Sequence, residues 1–262
     1  MPYADFRNLR LHYELDGPEE SRVLVLSHSI GTTTEMWKHV APDFAKKFRV
    51  LNCDTRGHGG SSVPNGPCAI AELGGDVLAL LDSLGVERCI FCGLSLGGMI
   101  GIWMGIHAPE RLEKLVLANT AARIGTQNMW NARIRSVQEE GMASLADAVM
   151  ERWFTREFRH ASPAIVAPVR QMFLDTSPEG YIACCAAIRD ADFTTNLRAI
   201  RAPTLVVAGR DDPATTPEDA RFLAQNISGA RYVELETAHL SPIEDPAGFS
   251  AAVLEFVSDE EE

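Results

Sequence analysis

The pentapeptide Gly93-Leu94-Ser95-Leu96-Gly97 follows the apolar run Cys89-Ile90-Phe91-Cys92 and precedes small and apolar residues at helical spacing. This order describes a buried strand that turns sharply into a helix. Glycines two positions before and two after Ser95 remove the side chains that would collide if the backbone lifted the serine into a strained, exposed position. The N–H of Leu96, at the start of the helix, would then face any oxyanion formed beside the hydroxyl, with the helix dipole behind it. The chain must therefore provide a strand whose carboxyl end is open to a ligand.

The same alternation runs through most of the chain. Residues 9–15 read as an alternating strand ending in the turn Asp16-Gly17-Pro18, at a sheet edge. Residues 23–26 form a compact buried strand that leads into the loop His28-Ser29-Ile30-Gly31. Apolar spacing predicts a helix over 36–47 and a strand over 49–53, followed by the polar loop Asp54-Thr55-Arg56-Gly57-His58-Gly59-Gly60-Ser61. Ile70, Leu73, Val77, Leu80, Leu81 and Leu84 predict an amphipathic helix closed by Gly85. Further strands are expected at 115–118, 204–208 and 232–235, with helices over 217–226 and 246–257.

Alternating strands and helices imply an α/β fold with a mostly parallel sheet covered on both faces, and such sheets place their sites at the carboxyl ends of the strands. Between 121 and 196 the strands stop, and helical segments are broken at Gly125, Gly141, Ser162-Pro163 and Ser177-Pro178. The expected organisation is a core of residues 1–120 and 197–262 with a helical cap, 121–196, inserted between two strands over Ser95. In the helix after Ser95, the spacing of Met99, Ile100, Trp103 and Met104 predicts a stripe packed on the sheet.

Composition narrows the function. A net charge of −12 argues against nucleic acid and anionic membranes as partners. No apolar window reaches the roughly 18 residues of a membrane span, and Met1 to Asp5 lack the basic and apolar succession of a leader, so a cytoplasmic protein is expected. The six cysteines do not form a disulfide framework, and Cys89 and Cys92, within one apolar run, are expected as core thiols without metal. The acidic end, residues 259–262, is expected to be solvated. The cap segment holds eight arginines, nine acidic residues and no lysine, so its cations are all of the kind that binds carboxylates with two parallel hydrogen bonds.

Serine becomes a nucleophile near neutral pH when an imidazole, oriented by a carboxylate, takes its proton. Asp211 and Asp212 follow the strand at 204–208, and His239 follows the strand at 232–235. Serine, aspartate and histidine thus stand at three carboxyl strand ends, in the order used on sheets of this kind.

Taken together, Gly93-Leu94-Ser95-Leu96-Gly97-Gly98, His28-Ser29-Ile30-Gly31, Asp54-Thr55-Arg56-Gly57-His58-Gly59 and the late Asp and His resemble the α/β-hydrolase superfamily over essentially the whole chain. The resemblance implies Ser95 as nucleophile, His239 as general base and then acid, and Asp212, three residues after Gly209, as the carboxylate that orients it. It implies an oxyanion hole from the N–H groups of Leu96 and Ile30. Many members read His-Gly-x-Gly in the loop where this chain has Ser29 in place of the first glycine. Gly93 to Thr120, with Ala108-Pro109-Glu110-Arg111, and Ala238-His239-Leu240-Ser241 are similar to the 3-oxoadipate enol-lactonases of aromatic catabolism.

That likeness implies hydrolysis of a small anionic lactone with no metal or organic cofactor. Carboxylesterases, carbon–carbon bond hydrolases and haloperoxidase-like relatives carry the same triad, and a receptor built on the hydrolase fold is a further alternative. A haloalkane dehalogenase would need a carboxylate at position 95. An anionic substrate gains nothing from the field of a protein with charge −12, so a local cation is expected to hold it. Trp130 and Arg133, three residues apart on the first cap helix, are expected to present a ring and a guanidinium to one cavity, with Arg135 directed elsewhere.

Overall fold

A computed structural model describes residues 2–6 and 9–259. The chain opens with β1 (Tyr3–Phe6), β2 (Leu9–Asp16) and β3 (Val23–Ser27), then a short helix α1 (Ala41–Phe44) and β4 (Arg49–Cys53). Next come α2 (Ile70–Ser83), β5 (Cys89–Leu94), α3 (Leu96–His107) and β6 (Leu112–Ala118). Between β6 and the next strand the chain is helical: α4 (Gln127–Glu140), α5 (Ala146–Trp153), α6 (Arg156–Ala161), α7 (Pro163–Leu174) and α8 (Pro178–Asp190). It closes with β7 (Thr204–Gly209), α9 (Pro217–Asn226), β8 (Arg231–Leu235), α10 (Ser241–Glu244) and α11 (Pro246–Ser258). The eight strands form one sheet in the order β1-β2-β4-β3-β5-β6-β7-β8, parallel from β4 to β8 and antiparallel at the β1 and β2 edge. This is the mostly parallel α/β architecture that the alternation predicts.

Burial explains why the central strands read as unbroken apolar runs. All six residues of β5 are buried, as are all six of β7, because helices cover both faces. Cys89 and Cys92 lie in β5 and are both buried free thiols; three residues apart on a strand, they point to opposite faces. Burial pushes the Cys89 thiol up to about 12.

Three local expectations need correction. The strand at 9–16 is not an edge, since β1 pairs outside it in antiparallel register. The helix expected over 36–47 is a single 3₁₀ turn, Thr34–Trp37, and then α1, because Pro42 offers no N–H to continue the ladder and disfavours helix in the residue before it. Trp103 does not pack on the sheet. It is half-buried, stacks on His107 with ring centroids 4.9 Å apart, and lies so close to Gly74 of α2 that a Cβ there would sit 2.1 Å from its ring. Helix α3 is buried nearly all round, so apolar spacing could not say which side meets the strands; the sheet side includes Gly97 and Gly101. The acidic end is solvated as expected at Asp259, which is exposed with its carboxylate 2.8 Å from Arg231 Nη1; residues 260–262 lie outside the described residues.

Candidate active site

Ser95 sits between β5 and α3 with φ 57° and ψ −109°, one of two non-glycine residues with positive φ among those described. A strained backbone at this point is sustained by its surroundings. A Cβ on Gly93 would lie 2.1 Å from the Gly97 carbonyl oxygen, and one on Gly97 would lie 2.1 Å from that of Ser27. Both glycines are thus required by close approach. The Ser95 N–H donates to Ala118 O (3.0 Å) and Thr120 Oγ1 donates to Ser95 O (2.8 Å), which ties the turn to the end of β6. Ser95 Oγ itself makes no hydrogen bond among the described residues.

His239 and Asp212 converge from the loops after β8 and β7. His239 Nδ1 lies 2.7 Å from Asp212 Oδ2, and both residues are buried. A carboxylate accepts, so the proton is on Nδ1 and Nε2 is left as a base. Burial works against the Asp212 charge, but His239 and the hydrogen bonds from Thr215 prevail and hold its carboxyl below the ordinary range. Thr215 Oγ1 donates at 2.7 Å, and the N–H groups of Ala214 and Thr215 donate at 2.8 and 3.1 Å. Asn119, the other positive-φ residue, donates to both Asp212 Oδ2 (3.2 Å) and Ala238 O (3.1 Å). The neighbouring Asp211 is exposed, so the structure brings His239 to Asp212 and leaves Asp211 aside.

The loop after β3 orients one further group. The Ser29 carbonyl accepts from His28 Nδ1 (2.7 Å), Thr32 Oγ1 (2.8 Å) and Thr32 N–H (3.2 Å). In a trans peptide the carbonyl and the next N–H point in opposite directions, so the Ile30 N–H is turned away from these donors. It has no intramolecular acceptor among the described residues, and neither has the Leu96 N–H. His28 Nε2 accepts from Thr55 N–H and His58 Nε2 from Gly31 N–H, each at 2.9 Å, so both rings are held neutral. Burial, with His28 beside it, lowers His58 to about 3, and burial lowers His28 as well.

These groups meet in a cavity of about 200 Å³ lined by Ser29, Ile30, Ser95 and His239 from the sheet side. The helices between β6 and β7 supply the opposite wall, including Met129, Trp130, Arg133, Arg152 and Trp153. Trp130 and Arg133 are together as the helical spacing predicts. The Trp130 ring is buried with its Nε1 donating to Ile124 O (2.7 Å), and the Arg133 guanidinium lies 5.3 Å from the Trp130 ring and 6.0 Å from that of Tyr181. Arg135 is exposed and does not line the cavity.

Sequence reading missed Arg152, which is exposed but reaches the same cavity from α5. Partial burial and the charge of Arg133 lower its pKa. Neither arginine has a carboxylate oxygen within 4 Å among the described residues. No local motif marks Arg152, because it reaches the cavity from a different helix than Trp130 and Arg133. The wall is also fastened to the histidine loop. The Leu240 N–H donates to Trp153 O (3.0 Å), and Glu244 accepts from Ala238 N–H (2.9 Å) and from the N–H (3.1 Å) and hydroxyl of Thr155. A larger groove, about 640 Å³, lies along α2, but its Arg56 is neutralised by Asp76 and it contains neither Ser95 nor a histidine.

The family described as alpha/beta hydrolase fold matches residues 22–246. Over 259 residues the chain is 42% identical to 3-oxoadipate enol-lactonase 2 of Acinetobacter baylyi, covering 97% of each. It is 37% identical to 3-oxoadipate enol-lactonase 1 of the same organism, over 94% of this chain and 92% of that one. The crystal structure of the enol-lactonase from Burkholderia xenovorans LB400 superposes with a TM-score of 0.97 at 44% identity, covering 98% of this chain and all of that one. No described helix is long and apolar enough to cross a membrane. The chain belongs to the α/β-hydrolase fold family and, within it, to the family of the 3-oxoadipate enol-lactonases.

Proposed function

We infer that the protein is a cytoplasmic serine hydrolase that opens the ring of 3-oxoadipate enol-lactone with water, giving 3-oxoadipate in aromatic-compound catabolism. The observation that carries this reading is the single cavity that Ser95, His239 and Arg133 line together. The names of the relatives supply the substrate. Residues 1–120 and 197–262 act as the catalytic core and 121–196 as the cap that reads the substrate.

In the reaction, Ser95 Oγ adds to the lactone carbonyl carbon as its proton passes to His239 Nε2, and Asp212 keeps the imidazole in the required tautomer. The carbonyl π pair moves onto oxygen, where the Ile30 and Leu96 N–H groups receive it. Collapse breaks the ring carbon–oxygen bond, and the departing enol oxygen takes the proton from His239. Water activated by His239 then releases the acyl group from Ser95. The freed enol tautomerises to a ketone, which disfavours ring closure, and no step calls for a metal or an organic cofactor. Arg133 holds the carboxylate against the Trp130 wall.

A panel of the enol-lactone, a neutral lactone of similar size, an aryl ester and a vinylogous diketone tests the reading. The anionic lactone should be turned over best, at about 1 to 10³ per second. Arg133→Ala should lower kcat/KM for it by about 10- to 100-fold and leave the aryl ester nearly unchanged, with Arg133→Lys recovering part. Preference for the diketone would favour carbon–carbon hydrolysis, and equal losses on charged and neutral substrates would remove the carboxylate role of Arg133.

A further inference from the structure

We propose that Ser29 is a third hydrogen-bond donor to the reacting carbonyl oxygen, acting through its hydroxyl beside the N–H groups of Ile30 and Leu96; the proposal rests on the Ser95 reading above. Ser29 is fully buried and lines the cavity with Ser95 and His239. Its Oγ has no hydrogen-bond partner among the described residues. Buried hydroxyls are nearly always paired, so an orphan at a site is accounted for when the ligand is its partner. Several other buried side-chain atoms among the described residues are also unpaired, including those of His12, Trp37 and Asn52, but none of these residues lines this cavity.

The loop around Ser29 makes the orphan specific. His28 uses both ring nitrogens, Thr32 uses its hydroxyl and N–H, the Gly31 N–H is taken by His58, and the Ser29 carbonyl has three donors. Among the groups of this loop left without a partner among the described residues are the Ser29 hydroxyl and the Ile30 N–H, on adjacent residues. The backbone beneath them is locked, whereas a hydroxyl hydrogen rotates freely to meet an acceptor. When Ser95 adds to the carbonyl and the π pair moves onto oxygen, Ser29 keeps its proton and donates a hydrogen bond to that oxygen. It is released when the pair returns and the ring bond breaks. A hydroxyl placed for developing charge stabilises the transition state more than the ground state.

Ser29→Ala removes a group that no other part of the protein uses. Its thermal midpoint should therefore be unchanged or raised, while kcat falls by about 10²-fold with KM little moved, the scale of one lost oxyanion donor. The loss should be equal on the enol-lactone and on a neutral aryl ester, unlike that of Arg133→Ala. The inhibition constant of an aryl boronic acid, which forms a tetrahedral adduct, should rise by the same factor, and Ser29→Cys should fall between. Unchanged kcat in Ser29→Ala, or a loss confined to KM, overturns the proposal. So does a drop in thermal midpoint, since the hydroxyl would then have a structural partner. Ser95→Ala, run in parallel, separates the two readings: if it stays active the nucleophile assignment fails and Ser29 with it, and if it is inactive the Ser29 result stands alone.

Discussion

Among the described residues are two buried histidine–aspartate pairs with the same short contact, Nδ1 to Oδ2 at 2.7 Å: His239 with Asp212, and His12 with Asp54. All four residues are less than 5% exposed. What differs is the other side of each ring. His239 lines the cavity that Ser95 opens onto, whereas His12 Nε2 is buried without a partner among the described residues, with the Tyr3 ring 5.5 Å from its own. Asp54 serves as an anchor, accepting from Thr34 N–H (2.8 Å) and Gly60 N–H (2.9 Å), and so ties the loops after β3 and β4 together. An oriented imidazole becomes a base only where its second nitrogen meets a substrate or a hydroxyl, so the pair alone is not a site.

The largest effect that separates the two pairs is on turnover. Ser95→Ala or His239→Ala should reduce kcat/KM by about 10⁴- to 10⁶-fold with little change in urea midpoint. His12→Gln should keep kcat within about tenfold and lose about 1 to 3 kcal/mol of stability instead. A folded His12→Gln as inactive as His239→Ala would break the comparison.

The carboxylates should divide in the same way with a smaller loss. Asp212→Asn leaves His239 with the wrong tautomer and should cost about 10³- to 10⁴-fold in kcat. Asp54→Asn should lower stability by about 3 kcal/mol, because a buried pair is broken on one side, and leave kcat close to that of the unaltered protein. Asp211→Asn serves as the control that should change neither quantity. If it cost more activity than Asp212→Asn, the orienting role would pass to Asp211.

The smallest effect extends the contrast to the histidines under the Ile30 loop. His58 lies at about 3 in the folded protein against an ordinary 6.5, so its neutral form is favoured. Its contribution is complete above 6.5 and is lost as pH falls from there toward 3, at up to about 1.4 kcal/mol per pH unit. Asp212, held below its ordinary 3.8, contributes above that value and loses its share only as pH falls below it. Stability followed from pH 7 to 4 should therefore decline first in the histidine window. His58→Gln, whose amide oxygen can still accept from Gly31, should make that decline shallower by about one proton. An identical slope in the variant would mean that His58 is not the group being forced to charge.

The α/β alternation and the turn at Ser95 were legible in the sequence because periodicity and glycine spacing act over a few residues. Ser95, Asp212 and His239 were legible through their order at successive strand ends, since a parallel sheet gathers those ends on one side whatever lies between. Trp130 and Arg133 shared a helix face, and α4 keeps that relation. Arg152 on α5, the orphan hydroxyl of Ser29 and the Glu244 tie between Thr155 and the histidine loop were invisible, because each depends on which distant segment packs against it. The side of α3 that meets the sheet was likewise decided by packing, as the helix is apolar on every side. The sequence by itself thus determined which local turns and faces exist and in what order they reach the sheet. Only the tertiary structure decided which histidine keeps an open nitrogen and where the Ile30 N–H points, because desolvation and hydrogen-bond pairing are settled by neighbours that are remote along the chain.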